Sequence, residues 1–160
     1  MIGKELFVIK NGRFGKLVCA NKFFEKGQKI LDFSGPVLLR SELPENIATP
    51  EDDRFLQVGI NLFIGPSGGV DDLINHSCEP NSAVMIKDKN ASLFAIKDIQ
   101  SGDEITYDYS LQMNDEQWTM QCRCGAKCCR LVIKEYRFIP ESLKDHYLKL
   151  GFVPDYNRGL

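Results

Sequence analysis

The sequence contains no long hydrophobic run and no marked excess of charge of either sign. No stretch approaches the roughly 20 consecutive apolar residues that a transmembrane helix needs, so we expect no membrane association. The segment Met1–Lys10 lacks the apolar region and the small-residue cleavage site of a secretory signal peptide. We therefore expect an intracellular protein, cytoplasmic, or nuclear if the cell is eukaryotic.

Charge and size exclude further classes of protein. The chain has 20 basic and 22 acidic residues, and the basic ones form no patch, so direct nucleic-acid binding is not expected. A net charge of −2 is compatible with a basic peptide partner but too small to demonstrate one. A length of 160 residues with 43% apolar content indicates one domain with a sizeable core.

Short apolar segments separated by glycine-rich turns predict a mostly β fold. A hairpin is expected across Asp88-Lys89-Asn90, and the alternation from Ile105 to Tyr109 is typical of a half-buried strand. The other predicted strands are Leu6–Ile9, Leu17–Ala20, Lys29–Phe33, Phe55–Val58, Ile60–Ile64, Ala83–Ile86 and Leu93–Ile96.

One helix is predicted near the end of the chain. Pro140 suits its first turn, and Gly151 can end it. The polar stretch Ser41–Asp53 is interpreted as a loop. The apolar face of the helix would consist of Ile139, Leu143, Tyr147 and Leu150.

The cysteines are unevenly distributed. Of the six, four lie between Cys122 and Cys129, and in a reducing compartment such clustering favours a metal over disulfides. Structural zinc commonly takes four thiolates in a tetrahedron. The spacing Cys122-x-Cys124-x4-Cys129 offers three, so the fourth must come from elsewhere. Cys128 could compete as a ligand, although its spacing fits less well, and Cys19 lies in an apolar strand that suggests a plain core position.

Two further segments are ambiguous when taken singly. Asn75-His76-Ser77-Cys78 could be only a turn, and a cysteine-protease interpretation is poor because catalytic Cys and His are seldom sequence neighbours. Gly102-Asp103-Glu104-Ile105-Thr106-Tyr107-Asp108-Tyr109 could be only a strand. In this order, and followed by the cysteine cluster, they resemble the SET-domain protein lysine methyltransferases with their post-SET tail, from about Lys4 to Ile133.

The resemblance implies a fold and a division of the chain. The fold would be mostly β, a SET fold of several short curved sheets with a knot-like threading, a zinc-binding post-SET tail and a C-terminal helix. The SET domain would span residues 1–112, the post-SET zinc-binding segment 113–134, and the C-terminal helical extension 135–160.

The resemblance also implies that the protein binds S-adenosylmethionine and zinc. The family has a loop with two glycines near the cofactor, and the segment from Gly12 to Leu17 can be aligned with it in two ways. Either Gly15 and Leu17 take the two glycine positions, or Gly12 and Gly15 take them in a slipped register. Trp118 could cover the bound ligand or could be a packing anchor. The implied cofactor contacts are Phe14, Gly15, Leu17, Asn75, His76, Tyr109 and Trp118, and the implied zinc ligands are Cys78, Cys122, Cys124 and Cys129.

The implied reaction is methyl transfer to the ε-amine of a lysine in a histone tail or another basic protein. Tyr109 matches the catalytic tyrosine and Tyr107 the aromatic that limits the number of methyl groups, which predicts mono- or dimethylation. Asp72 departs from the arginine that many members carry. One alternative is an inactive SET-like, zinc-stabilised peptide-binding module. Another is a zinc-binding structural adaptor, which explains the cysteines alone.

Overall fold

The computed structural model describes residues 6–45, 47 and 54–159. The described chain is built from short strands, as predicted, and part of the predicted loop Ser41–Asp53 lies outside the described residues. The strands are β1 (Phe7–Gly12), β2 (Gly15–Ala20), β3 (Lys29–Asp32), β4 (Val37–Leu39), β5 (Leu56–Gly59), β6 (Leu62–Ile64), β7 (Asn75–His76), β8 (Ser82–Lys87), β9 (Asn90–Ala95), β10 (Thr106–Tyr107), β11 (Thr119–Gln121) and β12 (Val132–Lys134).

These strands form small sheets of two or three strands each. The three-stranded sheets have the orders β3-β9-β8 and β4-β6-β5, and β1-β2 and β11-β12 are antiparallel pairs. The pair β7 and β10 is parallel, with Asn75 opposite Thr106 and His76 opposite Tyr107. This pairing places two sequence motifs side by side, although about thirty residues separate them. The knot-like threading stays a prediction.

Two hairpin turns follow from local backbone preferences. Gly12 pairs with Gly15 across the turn residues Arg13 and Phe14, and Gly15 has a φ of 137°, which favours glycine. The predicted turn between β8 and β9 is confirmed, with Asp88 and Lys89 both at positive φ. The strands β4, β7, β11 and β12 were not predicted, because two or three residues are too few to show an alternation.

The predicted strand from Ile105 to Tyr109 is wrong in its second half. The extended pairing is limited to Thr106–Tyr107, and a 3₁₀ turn follows at Tyr109–Leu111. Asp108 starts this turn because its carboxylate accepts a hydrogen bond from the backbone N–H of Ser110. Tyr109 therefore leaves the sheet, although its ring centroid stays 4.8 Å from that of Tyr107.

The predicted helix is confirmed as α1 (Glu141–Leu150), with Pro140 as its N-cap and Gly151 in the left-handed conformation at its end. Its predicted apolar face packs in one core cluster with Leu111 and Phe152. Beyond α1, the Tyr156 hydroxyl lies 2.8 Å from the carbonyl oxygens of both Gln57 and Gln112. The C-terminal segment is thus packed against the turn that carries Tyr109. The boundaries at 112 and 134 stay predictions.

Two other clusters complete the core. The first includes Val84, Leu93, Ile99 and Ile105 and joins residues from several of the small sheets. The second includes Cys78, Trp118 and Cys122 and packs the cysteine-rich tail onto the domain. Cys19 is buried, as predicted. No helix within the described residues is long and apolar enough to span a bilayer.

Candidate active site and metal centre

Two cavities meet at Tyr109. The larger has a volume of about 870 Å³ and is lined by the β1-β2 hairpin, by β7 and by the cysteine-rich tail. The smaller, about 10 Å³, is lined by Phe33, Leu56, Ile64 and Tyr107, with Asp71 and Asp72 at its wall. Among the residues lining them, Tyr109 alone belongs to both cavities. The arrangement therefore offers a large cleft and a narrow cavity of mixed polar and apolar lining, both bordered by Tyr109.

The Tyr109 side chain and backbone are both anchored. Its hydroxyl donates a hydrogen bond to the carbonyl oxygen of Ile74 at 2.7 Å, and its backbone N–H donates to Nδ1 of His76 at 3.1 Å. The hydroxyl proton is thus directed at Ile74.

His76 is neutral in this environment. Burial lowers the pKa of its imidazole to about 4, against the opposing effect of Asp108. Because Nδ1 accepts the Tyr109 N–H, the single ring proton belongs on Nε2, which lies 3.3 Å from the sulfur of Cys78. Asp108 Oδ1 is 3.6 Å from Nδ1, but a neutral ring forms no ion pair with it. His76 therefore joins Tyr109 to a cysteine sulfur.

Asn75 is held by two hydrogen bonds from its side-chain amide. Nδ2 donates to the carbonyl oxygen of Lys16 at 2.8 Å and to Oε1 of Glu104 at 2.9 Å. Both amide hydrogens are used, so Oδ1 is the atom that the side chain can offer to a ligand. Glu104 also lines the large cleft, together with Glu79.

The four predicted metal ligands come together. The sulfurs of Cys78, Cys122, Cys124 and Cys129 all lie within 4.8 Å of one another, and those of Cys78 and Cys122 are 3.7 Å apart. A tetrahedron with Zn–S bonds of about 2.3 Å requires sulfur separations of about 3.8 Å, so the donor set fits zinc. Burial acts to raise the pKa of Cys124, but hydrogen bonds from the backbone of Cys78 and Ala126 lower it to about 7.

Cys128 lies outside this cluster. It is exposed, and its sulfur contacts the carbonyl oxygen of Cys78 at 3.6 Å. The thiol therefore points at a backbone atom near the cluster, whereas the sulfur of Cys129 is one of the four that gather. This geometry favours the predicted ligand set over the set that includes Cys128.

The predicted cofactor residues separate into two groups. Phe14, Leu17, Asn75, His76 and Tyr109 line the large cleft, whereas Gly15 and Trp118 do not. Trp118 is only 4% exposed and packs in the second core cluster with residues such as Phe63 and Ile133, so its position favours the packing-anchor interpretation.

Phe14 connects the hairpin to the tail. The guanidinium carbons of Arg13 and Arg123 lie 5.2 and 5.3 Å from its ring centroid. The sequence interpretation missed Arg123, because a residue between two cysteines carries no signal of its own. It also missed Glu104 as a partner of Asn75, although Glu104 belongs to the segment from Gly102 to Tyr109 that carries the family resemblance.

Comparison with known proteins gives a consistent result. Residues 15–110 match the family model described as "SET domain". The chain is 30% identical over 137 residues to the probable histone-lysine N-methyltransferase lin-59 of Caenorhabditis elegans, covering 81% of this chain and 10% of that protein. It is 31% identical over 134 residues to the histone-lysine N-methyltransferase trithorax of Drosophila virilis, covering 77% of this chain and 3% of that protein.

Solved structures support the fold. The crystal structure of KRYPTONITE in complex with mCHH DNA, H3(1-15) peptide and SAH matches with a TM-score of 0.62 at 22% identity, over 80% of this chain and 29% of that one. At this identity the match demonstrates the fold. The chain thus spans a small part of each of these three proteins.

Proposed function

The chain belongs to the SET-domain family, and from that premise we propose that it transfers a methyl group from S-adenosylmethionine to the ε-amine of a lysine in a protein. The observation that carries the proposal is the position of Tyr109, which borders both the large cleft and the narrow cavity. Methyl transfer needs a donor and an acceptor that approach one point from two sides, and Tyr109 lies at such a point.

The large cleft suits a zwitterionic ligand that carries an additional positive charge. S-adenosylmethionine, when bound, supplies an electrophilic methyl group on a sulfonium. Asn75 offers Oδ1 as a hydrogen-bond acceptor, and Glu104 places negative charge beside it. Arg13 and Arg123 provide positive charge at another side of the cleft. We propose that Phe14, Leu17 and His76 complete the binding surface.

The narrow cavity suits the acceptor lysine. A free lysine has a pKa of about 10.4, so holding its amine neutral at pH 7 costs roughly 4–5 kcal/mol. We propose that Phe33, Leu56 and Ile64 desolvate the amine and so lower its pKa, in a cavity whose wall also includes Arg54, Asp71 and Asp72. We propose that the Tyr109 hydroxyl, which is held by its hydrogen bond to the carbonyl oxygen of Ile74, orients the amine and stabilises developing charge.

We propose that Tyr107 limits the number of methyl groups. It is 8% exposed and lines the narrow cavity, where a phenol occupies volume that a further methyl group would need. The expected product is mono- or dimethyl-lysine.

We propose zinc as the metal of the four-cysteine cluster. The proposal rests on the sulfur separations and on the all-thiolate donor set. Since Cys122 and Cys124 also line the large cleft, the metal would hold the tail as one wall of the binding site.

The proposed substrate is a histone tail or another basic protein, because lin-59 and trithorax carry histone-lysine methyltransferase names. An intracellular location, nuclear in a eukaryotic cell, belongs to the same proposal. The inactive peptide-binding alternative has no observation in its favour, since Asn75, His76 and Tyr109 line one cleft.

Mass spectrometry of a histone and a peptide library, incubated with the protein and isotopically labelled S-adenosylmethionine, tests this function. Labelled mono- and dimethyl-lysine is the expected product. A protein that binds the cofactor by calorimetry but labels no lysine would be the inactive module, and one that binds neither cofactor nor peptide would contradict both interpretations.

A further inference from the structure

We infer that Arg130 is a positioning residue that couples the order of the cysteine-rich tail to the placement of Tyr109. The inference rests on the proposed methyl transfer for its kinetic consequence, although its structural part can be tested independently. Arg130 lies next to the metal ligand Cys129 in sequence but is not a ligand itself, and its guanidinium binds Asp108 in the turn that carries Tyr109.

Arg130 makes one contact through its backbone and another through its side chain. Its backbone N–H donates to the sulfur of Cys78 at 3.4 Å. In its side chain, Nη2 donates to Oδ1 of Asp108 at 2.6 Å. One residue of the tail therefore touches both a metal ligand and the residue that precedes Tyr109.

Asp108 makes the second half of the connection. Its side chain is fully buried, and the oxygen that accepts from Arg130 also accepts the backbone N–H of Ser110 at 3.1 Å. This hydrogen bond starts the 3₁₀ turn at Tyr109–Leu111, so the orientation of the carboxylate determines where the turn begins. A displaced carboxylate would shift Tyr109 relative to the carbonyl oxygen of Ile74.

The ion pair depends on a single close contact. Within the described residues, Oδ2 of Asp108 and the Nε and Nη1 atoms of Arg130 are buried and have no hydrogen-bond partner. The pairing with Asp108 raises the pKa of the Arg130 guanidinium despite its burial, so the charge is retained. A lysine keeps that charge but is a point donor on a flexible stem, and it cannot reproduce the planar geometry.

This coupling is distinct from the connection through His76. His76 joins Cys78 to the backbone N–H of Tyr109, whereas Arg130 joins Cys78 to the carboxylate that starts the turn. The two paths end on neighbouring residues. They meet at the Cys78 sulfur and again where Oδ1 of Asp108 lies 3.6 Å from Nδ1 of His76. Substitution of Arg130 by lysine keeps every atom of the His76 path and of the four sulfurs.

The kinetic test compares Arg130→Lys with Arg158→Lys, a matched change in an exposed pair with Asp155. We expect Arg130→Lys to lower kcat by roughly tenfold to a hundredfold, as for a slightly misplaced reacting group. Zinc content, the calorimetric Kd for S-adenosylhomocysteine and the peptide KM should stay near wild-type values. Arg158→Lys should match wild type throughout.

Two results would overturn the inference. An unchanged kcat would show that the pair does not position Tyr109. A parallel loss of zinc and of S-adenosylhomocysteine binding would show that Arg130 only holds the tail. If Arg130→Lys fails to fold, Asp108→Asn, which keeps an oxygen for Ser110, replaces it with the same expected separation of kcat from binding.

Hydrogen–deuterium exchange tests the coupling without enzymatic turnover. Removal of zinc from the wild-type protein by a chelator should increase exchange across residues 106–112. In the Arg130→Lys variant, exchange across residues 106–112 should already be faster before zinc is removed. Zinc removal should then increase the exchange clearly less than in wild type. Equal increases in the two proteins would refute the coupling. Because this readout needs no lysine substrate, a protein that methylates nothing would contradict the proposed function without deciding this inference.

Discussion

Replacement of Tyr109 by phenylalanine is the most direct test of the proposed chemistry. The change removes one oxygen atom, which donates to the carbonyl oxygen of Ile74 at 2.7 Å, from the residue that borders both cavities. The ring contacts with Tyr107 and His76, at centroid distances of 4.8 and 5.4 Å, can be kept. The variant therefore isolates the hydroxyl.

The expected magnitudes separate stability from catalysis. An Ile74 carbonyl left without its partner costs about 1–3 kcal/mol, against a typical total stability of about 5–15 kcal/mol, so the variant should fold. Loss of a group that stabilises charge only in the transition state lowers kcat by about 10²–10³-fold. Cofactor affinity should change little, because Asn75 and Glu104 are untouched.

The assay is transfer of a labelled methyl group to a substrate peptide, combined with calorimetry of S-adenosylhomocysteine binding. Tyr136→Phe is the control, since it removes the same atom from a buried tyrosine of the third core cluster that lines neither cavity. Near-normal turnover in Tyr109→Phe would refute the assigned role. So would a variant whose main defect is weak cofactor binding.

Three other predictions follow from the same geometry. Tyr107→Phe should shift the products formed on one peptide toward di- and trimethyl-lysine, as measured by mass spectrometry. If the wild-type protein trimethylates efficiently and the variant gives the same products, Tyr107 is only a core residue. Metal analysis should find no zinc in Cys78→Ser and one zinc per chain in Cys128→Ser. The opposite result would make Cys128 the ligand in place of Cys78. Tyr156→Phe should lower the free energy of unfolding by about 1–3 kcal/mol in urea denaturation, because two carbonyl oxygens lie 2.8 Å from its hydroxyl, and a change no larger than that of Tyr136→Phe would contradict this.

Some features were determined by the sequence because they depend on neighbours along the chain. The turn at Asp88-Lys89 and the helix ending at Gly151 follow from local backbone preferences, and both are observed. The three tail cysteines have a spacing that by itself suggests a metal. The residues of the Asn75 and Tyr109 segments were identified through family resemblance, which depends on their types and order.

Other features depended on the tertiary structure. The end of the predicted strand at Tyr107 could not be read from an alternating pattern, because the Asp108 carboxylate caps a turn at that point. Trp118 was ambiguous until its burial in the second core cluster was seen. Neither the Asn75–Glu104 hydrogen bond nor the Arg130–Asp108 pair has a sequence signal, since each joins residues more than twenty positions apart. Periodicity and spacing report local backbone geometry, whereas these contacts arise only when parallel strands and a docked tail bring distant side chains within hydrogen-bond distance.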